Sequence, residues 1–236
     1  VLAGIDLSGK TALVTGGYSG IGTETSRALV EAGCEVYAPA RRTDVALNEL
    51  EGIVPAENIV EMDLANPKSV QNFVDDFSSH VNKLDILINN AGVAGPTGAD
   101  WTLDAKEWWK VFEVNVLGQF LVSKAVISGM AKRGRGRVVN VSSAAAGFPG
   151  ANYSAYCASK AALTMWTECL ADEAARHGVK VLAYHPGTVR TDMTEYSADQ
   201  PEKDNPIVNF IRDAFEEGSD TPIERSVESL VFVASG

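Results

Sequence analysis

Tyr156 and Lys160, four residues apart in Tyr-Cys-Ala-Ser-Lys, are the side chains in this sequence best suited to moving a proton. On a helix that spacing puts both on one face. A phenol ordinarily titrates near ~10, too high for work at neutral pH, and an adjacent ammonium stabilises the phenolate. The pair therefore predicts Tyr156 as a general acid/base whose pKa Lys160 lowers. Tyr153, the neighbouring tyrosine, has Cys157 at the fourth position and no such partner. Alone the pair is a weak signal, since six tyrosines and ten lysines give this spacing by chance in roughly one chain of four.

A second constellation lies near the N-terminus, in Thr15-Gly16-Gly17-Tyr18-Ser19-Gly20-Ile21-Gly22. It follows an apolar run and precedes a helical pattern. Glycine there permits positive φ and close approach of a pyrophosphate, and the helix N-terminus offers free N–H groups to phosphate. The end of the second strand selects the dinucleotide. An acid there would bind the ribose hydroxyls of NAD, but this chain has Pro39-Ala40-Arg41-Arg42. Arg41 suits a 2′-phosphate, so NADP(H) is expected over NAD(H), with Arg42 on the surface. Asp63, ending the third strand, suits either an adenine amino group or a turn.

The elements that must carry these residues alternate along the chain. Strands are expected at 10–16, 35–40, 58–62, 84–89, 137–142 and 179–184. Helices are expected at 20–32, 67–79, 103–132, 151–177 and 207–217. The strands are apolar throughout rather than alternating, as in a parallel sheet covered on both faces. Serial βαβ units give an α/β, doubly wound, three-layer fold of Rossmann type. One domain is expected over 1–236, with a polar lid segment at about 192–220.

The chain has 236 residues, 45% of them apolar, and a net charge of −11. Residues 1–190 hold 20 acids and 17 bases, whereas 191–236 hold 11 acids and 3 bases. That balance argues against a nucleic-acid partner. No uninterrupted apolar stretch reaches a membrane span, and the start shows no signal peptide. Cys34, Cys157 and Cys169 are an odd number without metal-ligand spacing, so buried thiols, no metal and a reducing cytoplasm are expected.

Taken together, these motifs resemble the short-chain dehydrogenase/reductase family, in its branch of roughly 250 residues. The resemblance rests on Thr15–Gly22, Asn89-Asn90-Ala91-Gly92, Asn115 in Asn-Val-Leu-Gly, Ser142-Ser143, Tyr156–Lys160, and Pro186-Gly187 with Thr191. It implies strand order 3-2-1-4-5-6-7 and hydride transfer between a nicotinamide and an alcohol or carbonyl. Tyr156 is then the acid/base, and Lys160 also binds the nicotinamide ribose. Ser143, thirteen residues before Tyr156, polarises the substrate oxygen; Ser142 points the other way along the strand. Asn115 holds a water in the proton relay. Gly16, Tyr18, Ser19, Gly20, Ile21 and Gly22 would cradle the phosphates. Arg41, Asp63 and Leu64 would flank the adenosine. Asn90, Ala91 and Gly92 would line the ribose side, with Asn89 bracing the sheet. Pro186, Gly187, Val189 and Thr191 would meet the nicotinamide, Thr191 at its carboxamide.

Val93, Ala144, Phe148, Tyr153 and Tyr196, with Phe210, suggest an apolar substrate pocket for a neutral ketone or secondary alcohol. Asp192 and Glu195 disfavour a strongly anionic substrate. The resemblance also implies a homotetramer built on the two long helices. Ser19 stands where many NADP-dependent members carry a basic residue, so the 2′-phosphate leans on Arg41. The chain begins without Met and stops at the helix before the family's last strand, so that strand is expected to be missing. A hydrolase would need a Gly-x-Ser-x-Gly elbow, and there is none. The alternative from another class is a non-catalytic NADP(H) sensor or scaffold, which usually loses part of the Ser/Tyr/Lys set.

Overall fold

The computed structural model describes residues 4–200 and 205–236; Pro201, part of the expected lid, lies outside them. Along the chain run β1 Thr11–Thr15, α1 Ile21–Glu31, β2 Glu35–Tyr37, α2 Thr43–Glu49, α3 Pro67–His80, β3 Ile86–Asn89 and α4 Ala105–Phe112. There follow α5 Gln119–Arg133, β4 Gly136–Val141, α6 Ser154–Ala175, β5 Val179–Tyr184, α7 Asp192–Ala198, α8 Pro206–Glu217 and α9 Ile223–Ser235. The five strands form one parallel sheet in the order β2-β1-β3-β4-β5.

Strand alternation divides the core into two layers. Ala12, Val14, Ile86, Ile88 and Val139 face α1 and α9, among Leu29, Leu230 and Val231. Leu13, Leu87 and Val138 face the other side, among Phe73, Val122 and Met130. Both faces are dry, which is why each strand reads as an apolar run. Helix starts follow side-chain chemistry. Asn66 caps α3 through Lys68 and Ser69, Asp104 caps α4, and Asn205 caps α8.

Four expectations need correction. The segment 58–62 is not a strand and forms a single parallel bridge, Ala40 to Glu61. It still lies beside β2, because Ala38 and Ala40 donate to the carbonyls of Asn58 and Val60, and Met62 donates to Ala40. β2 itself is shorter than the expected 35–40 because of Pro39. Residues 35, 37 and 39 turn their N–H positions toward β1, and proline has none, so β2 ends at Tyr37.

The helix expected at 103–132 is three pieces. Asp104 sets its start, and Glu113–Gly118 winds as a wide i→i+5 turn between α4 and α5. This helical run, Ala105–Arg133, is long and apolar enough in one 18-residue window (mean hydropathy 1.3) to cross a membrane by length and composition alone. Here it packs on the sheet and buries Asn115, Gln119 and Ser123. Helices α2 and α7 were not expected, and Cys169 is exposed rather than buried.

Close approach fixes where the wide turn sits. A Cβ on Gly118 would stand 2.6 Å from the Leu64 Cβ and 2.7 Å from its carbonyl oxygen. Gly118→Ala should therefore cost about 2 kcal/mol by overpacking, measured by urea unfolding; an unchanged midpoint would show that the contact is slack.

Candidate active site

The glycine turn is built by exclusion. Gly16 and Gly20 have φ of 62° and 51°. A Cβ on Gly16 would lie 2.9 Å from the Ala91 Cα, and one on Gly22 2.0 Å from the Gly16 carbonyl oxygen. Gly22 lies outside the cleft lining; it lets α1 close on the turn. No side chain caps the N-terminus of α1 at Gly20, which leaves backbone N–H groups for an anion. Below the turn, the Thr15 hydroxyl accepts from the Asn90 and Ala91 N–H groups, and the Asn90 amide donates to the carbonyls of Thr15 and Gly16. Asn89 donates to Ser123 and Asn140, bracing the sheet.

This turn opens into a cleft of about 730 Å³ that runs from Arg41 to Phe210. Tyr18, Ser19, Gly20 and Ile21 line its floor, with Asp63, Leu64, Asn90, Ala91 and Gly92 alongside. Pro186, Gly187, Val189 and Thr191 close the far side. Arg41 and Arg42 both border the cleft and are exposed. Asp63 accepts the Ala65 N–H through Oδ1, which is the turn role. Elongated shape, uncapped helix terminus and rim arginine together fit a dinucleotide phosphate.

Ser143, Tyr156 and Lys160 meet in the middle of the cleft. β4 ends at Val141, so Ser143 emerges at its C-terminal end, where its hydroxyl accepts from the Ala145 N–H. Ser142 points away and pairs with Thr164 at 2.6 Å. Ser143 beside the Tyr156 phenol favours its ionised form, but burial dominates and pushes its pKa up. The expected lowering by Lys160 is not what this state shows. Lys160 lies 5.7 Å from the Tyr156 ring centroid, and its Nζ donates to the Val141 carbonyl at 2.7 Å.

Asn115 does not border the cleft. Its amide accepts from the Val93 N–H and donates to the Val93 carbonyl and the Ser159 hydroxyl. Ser159 in turn donates to the Tyr156 carbonyl. The side chain clamps α6 to the loop after β3.

At the substrate end, Val93, Ala144, Phe148 and Tyr153 line the cleft as expected, and Tyr196 does not. Tyr196 sits on the outer face of α7, 53% exposed. Met193, Ser197 and Ile207 line the wall instead and had not been singled out. The available signal was Thr-x-x-Thr at Thr191 and Thr194, a reciprocal cap that starts α7 and turns Met193 and Ser197 inward. His185 accepts the Ala144 N–H at the cleft wall.

A family model of the short chain dehydrogenases matches residues 10–202. The chain belongs to the short-chain dehydrogenase/reductase family. It is 38% identical to a short chain dehydrogenase of Pseudocercospora fijiensis over 79% of this chain and 62% of that protein. It therefore spans less than two thirds of that relative's length. It is 32% identical to the 3-oxoacyl-[acyl-carrier-protein] reductase FabG of Vibrio cholerae, over 83% of this chain and 80% of that one. Among solved structures, it resembles the 3-ketoacyl-(acyl-carrier-protein) reductase of Brucella melitensis complexed with NADH, with TM-score 0.81, 25% identity, and coverage of 98% and 92%.

One electrostatic property of this short-chain dehydrogenase/reductase is testable without substrate. Lys160 is 3% exposed, and burial lowers its pKa from 10.5 to about 8. The unfolded chain holds that proton more tightly, so the folded state bears the cost of a buried cation below pH 8. The cost fades as pH rises from 8 to 10.5. Lys160→Met should stabilise the protein at pH 7 by about 2 kcal/mol, with the gain shrinking toward pH 10.5. A variant less stable at pH 7 than the parent would contradict it.

Proposed function

We propose that this chain is an NADP(H)-preferring oxidoreductase acting on a neutral ketone or secondary alcohol. The observation that carries it is the convergence of Ser143, Tyr156 and Lys160 on one cleft that also contains the glycine turn and Arg41. When bound, the nicotinamide supplies or accepts the hydride. Ser143 holds and polarises the substrate oxygen. Tyr156 gives that oxygen a proton in reduction and takes one in oxidation. Burial keeps the phenol protonated at neutral pH, the form that reduction consumes. Lys160 holds the ribose hydroxyls and draws the phenol toward ionisation as its own ammonium turns from Val141. Thr191 anchors the carboxamide. Asn115 positions α6, and with it Tyr156.

The NADP(H) preference rests on Arg41, since a solved relative carries NADH. No acid occupies the end of β2, and the guanidinium borders the cleft. An apolar substrate is favoured by Val93, Phe148, Met193 and Ile207 around the reacting centre. Three free cysteines favour a reducing cytoplasm. Trp109, Leu117, Phe120 and Met165 are exposed apolar side chains on the two long helical runs, which supports a homo-oligomer, a tetramer on the family pattern.

Nicotinamide absorbance with NADPH and NADH, across a panel of ketones and alcohols, tests the reading directly. Tyr156→Phe should lower kcat by roughly 10³-fold with cofactor binding retained; a fully active variant would remove Tyr156 from the proton step. Arg41→Ala should raise the KM for NADPH roughly tenfold or more and leave that for NADH nearly unchanged. Equal effects on both would make Arg41 a surface charge.

A further inference from the structure

Helix α7 forms the wall of the cleft above Tyr156, yet it has only seven residues, Asp192–Ala198. A helix that short does not hold itself together in water. Its fastenings are therefore specific contacts. Thr191 and Thr194 cap its start, and Thr194 also donates to the Val189 carbonyl. Thr97 donates to Gln200 just past its end, and Arg212 on α8 donates to the carbonyls of Ala198 and Gln200.

Near its C-terminal end α7 is held by a side-chain hydrogen bond from outside the lid. Tyr153 and Ser197 lie 2.6 Å apart, oxygen to oxygen, and are only 3% and 2% exposed. Ser197 donates its hydroxyl proton to the Met193 carbonyl, so the phenol of Tyr153 is the donor between them. Tyr153 precedes α6, and its ring packs on that of Tyr156 with centroids 5.4 Å apart. It thus touches both the wall and the reacting tyrosine.

We infer that Tyr153 and Ser197 form a latch that fastens α7 over the substrate end of the cleft and keeps that end selective for carbonyl compounds with hydrocarbon flanks. Two consequences follow from the geometry. The latch holds Met193, one turn before Ser197, against the pocket beside Ile207 and Ala94. It also occupies the donor of Tyr153 and the donor of Ser197, so neither hydroxyl has a proton left for a polar substituent. A substrate group rich in hydrogen-bond acceptors would find none of its partners on this wall, whereas an alkyl or aryl group would meet Met193, Ile207 and the Tyr153 ring. Tyr153 is then a positioning residue. It acts through α7, and apparent substrate affinity scales with the fraction of molecules in which α7 is closed.

This inference rests on the cleft being a hydride-transfer site, and its test separates the two. Backbone amide exchange of α7 needs no substrate. Tyr153→Phe removes only the donor, whereas Ser197→Ala removes the acceptor together with its own bond to the Met193 carbonyl. Each should speed exchange of the α7 amides by roughly five-fold or more, and the double variant should be no faster than Ser197→Ala alone. With an alkyl ketone and NADPH, Tyr153→Phe should raise KM by a similar factor and change kcat by less than about two-fold. Unchanged exchange in Tyr153→Phe, or a double variant with additive effects, would overturn the latch. A kcat loss at constant KM would overturn the lid role and assign Tyr153 to Tyr156. If the parent turns over no carbonyl compound at all, the functional reading fails while the exchange data still decide the latch.

Discussion

Lys160 is an ammonium group in a dry site whose hydrogen-bond partner is the Val141 carbonyl, with no carboxylate within ion-pair distance among the described residues. Such a group is costly to fold around, and much of the surrounding architecture exists to hold it there. β4 must end at Val141 for that carbonyl to be presented, and the same ending releases Ser143 into the cleft. α6 must lie at a fixed height against the sheet so that Tyr156 and Lys160 both reach the cleft. That height is set by the Asn115 clamp, which joins the loop after β3 to Ser159 and so to the Tyr156 carbonyl. The wide turn at Glu113–Gly118 places Asn115 for this, and Gly118 lets the turn press against Leu64.

The two ends of the cleft differ in electrostatic character. At the dinucleotide end, an uncapped helix and two arginines favour negative charge. The C-terminal segment carries most of the net negative charge, with Asp192 at the cleft and the inner wall of α7 and α8 apolar. The strong acidity of the chain belongs to residues 191–236 and not to the cofactor end.

Much of this was legible in the sequence because it depends on local chemistry. Glycines that only a strand-to-helix turn requires, a helical Tyr-Lys spacing and unbroken apolar strands are all short-range signals, and apart from 58–62 and the end of β2 each lies where expected. What was not legible depends on partners distant in sequence. Pro39 shortened β2 by removing a donor toward β1. The clamp that the Asn115 amide makes to Val93 and Ser159 joins segments far apart in sequence. Tyr196 looked like a pocket aromatic, but helix phase turned it outward and brought in Met193 and Ser197. Lys160 was expected to lower Tyr156, but Val141 competes for its ammonium, a contact that no spacing reveals.

The central claim is that the cleft is organised around a buried, carbonyl-bound ammonium. Heteronuclear NMR titration of the Lys160 side chain in the unmutated protein tests it most directly. The account predicts that this lysine titrates near 8, well below the ordinary 10.5. A titration at or above 10.5 would show the ammonium to be solvated or ion-paired and would contradict the account.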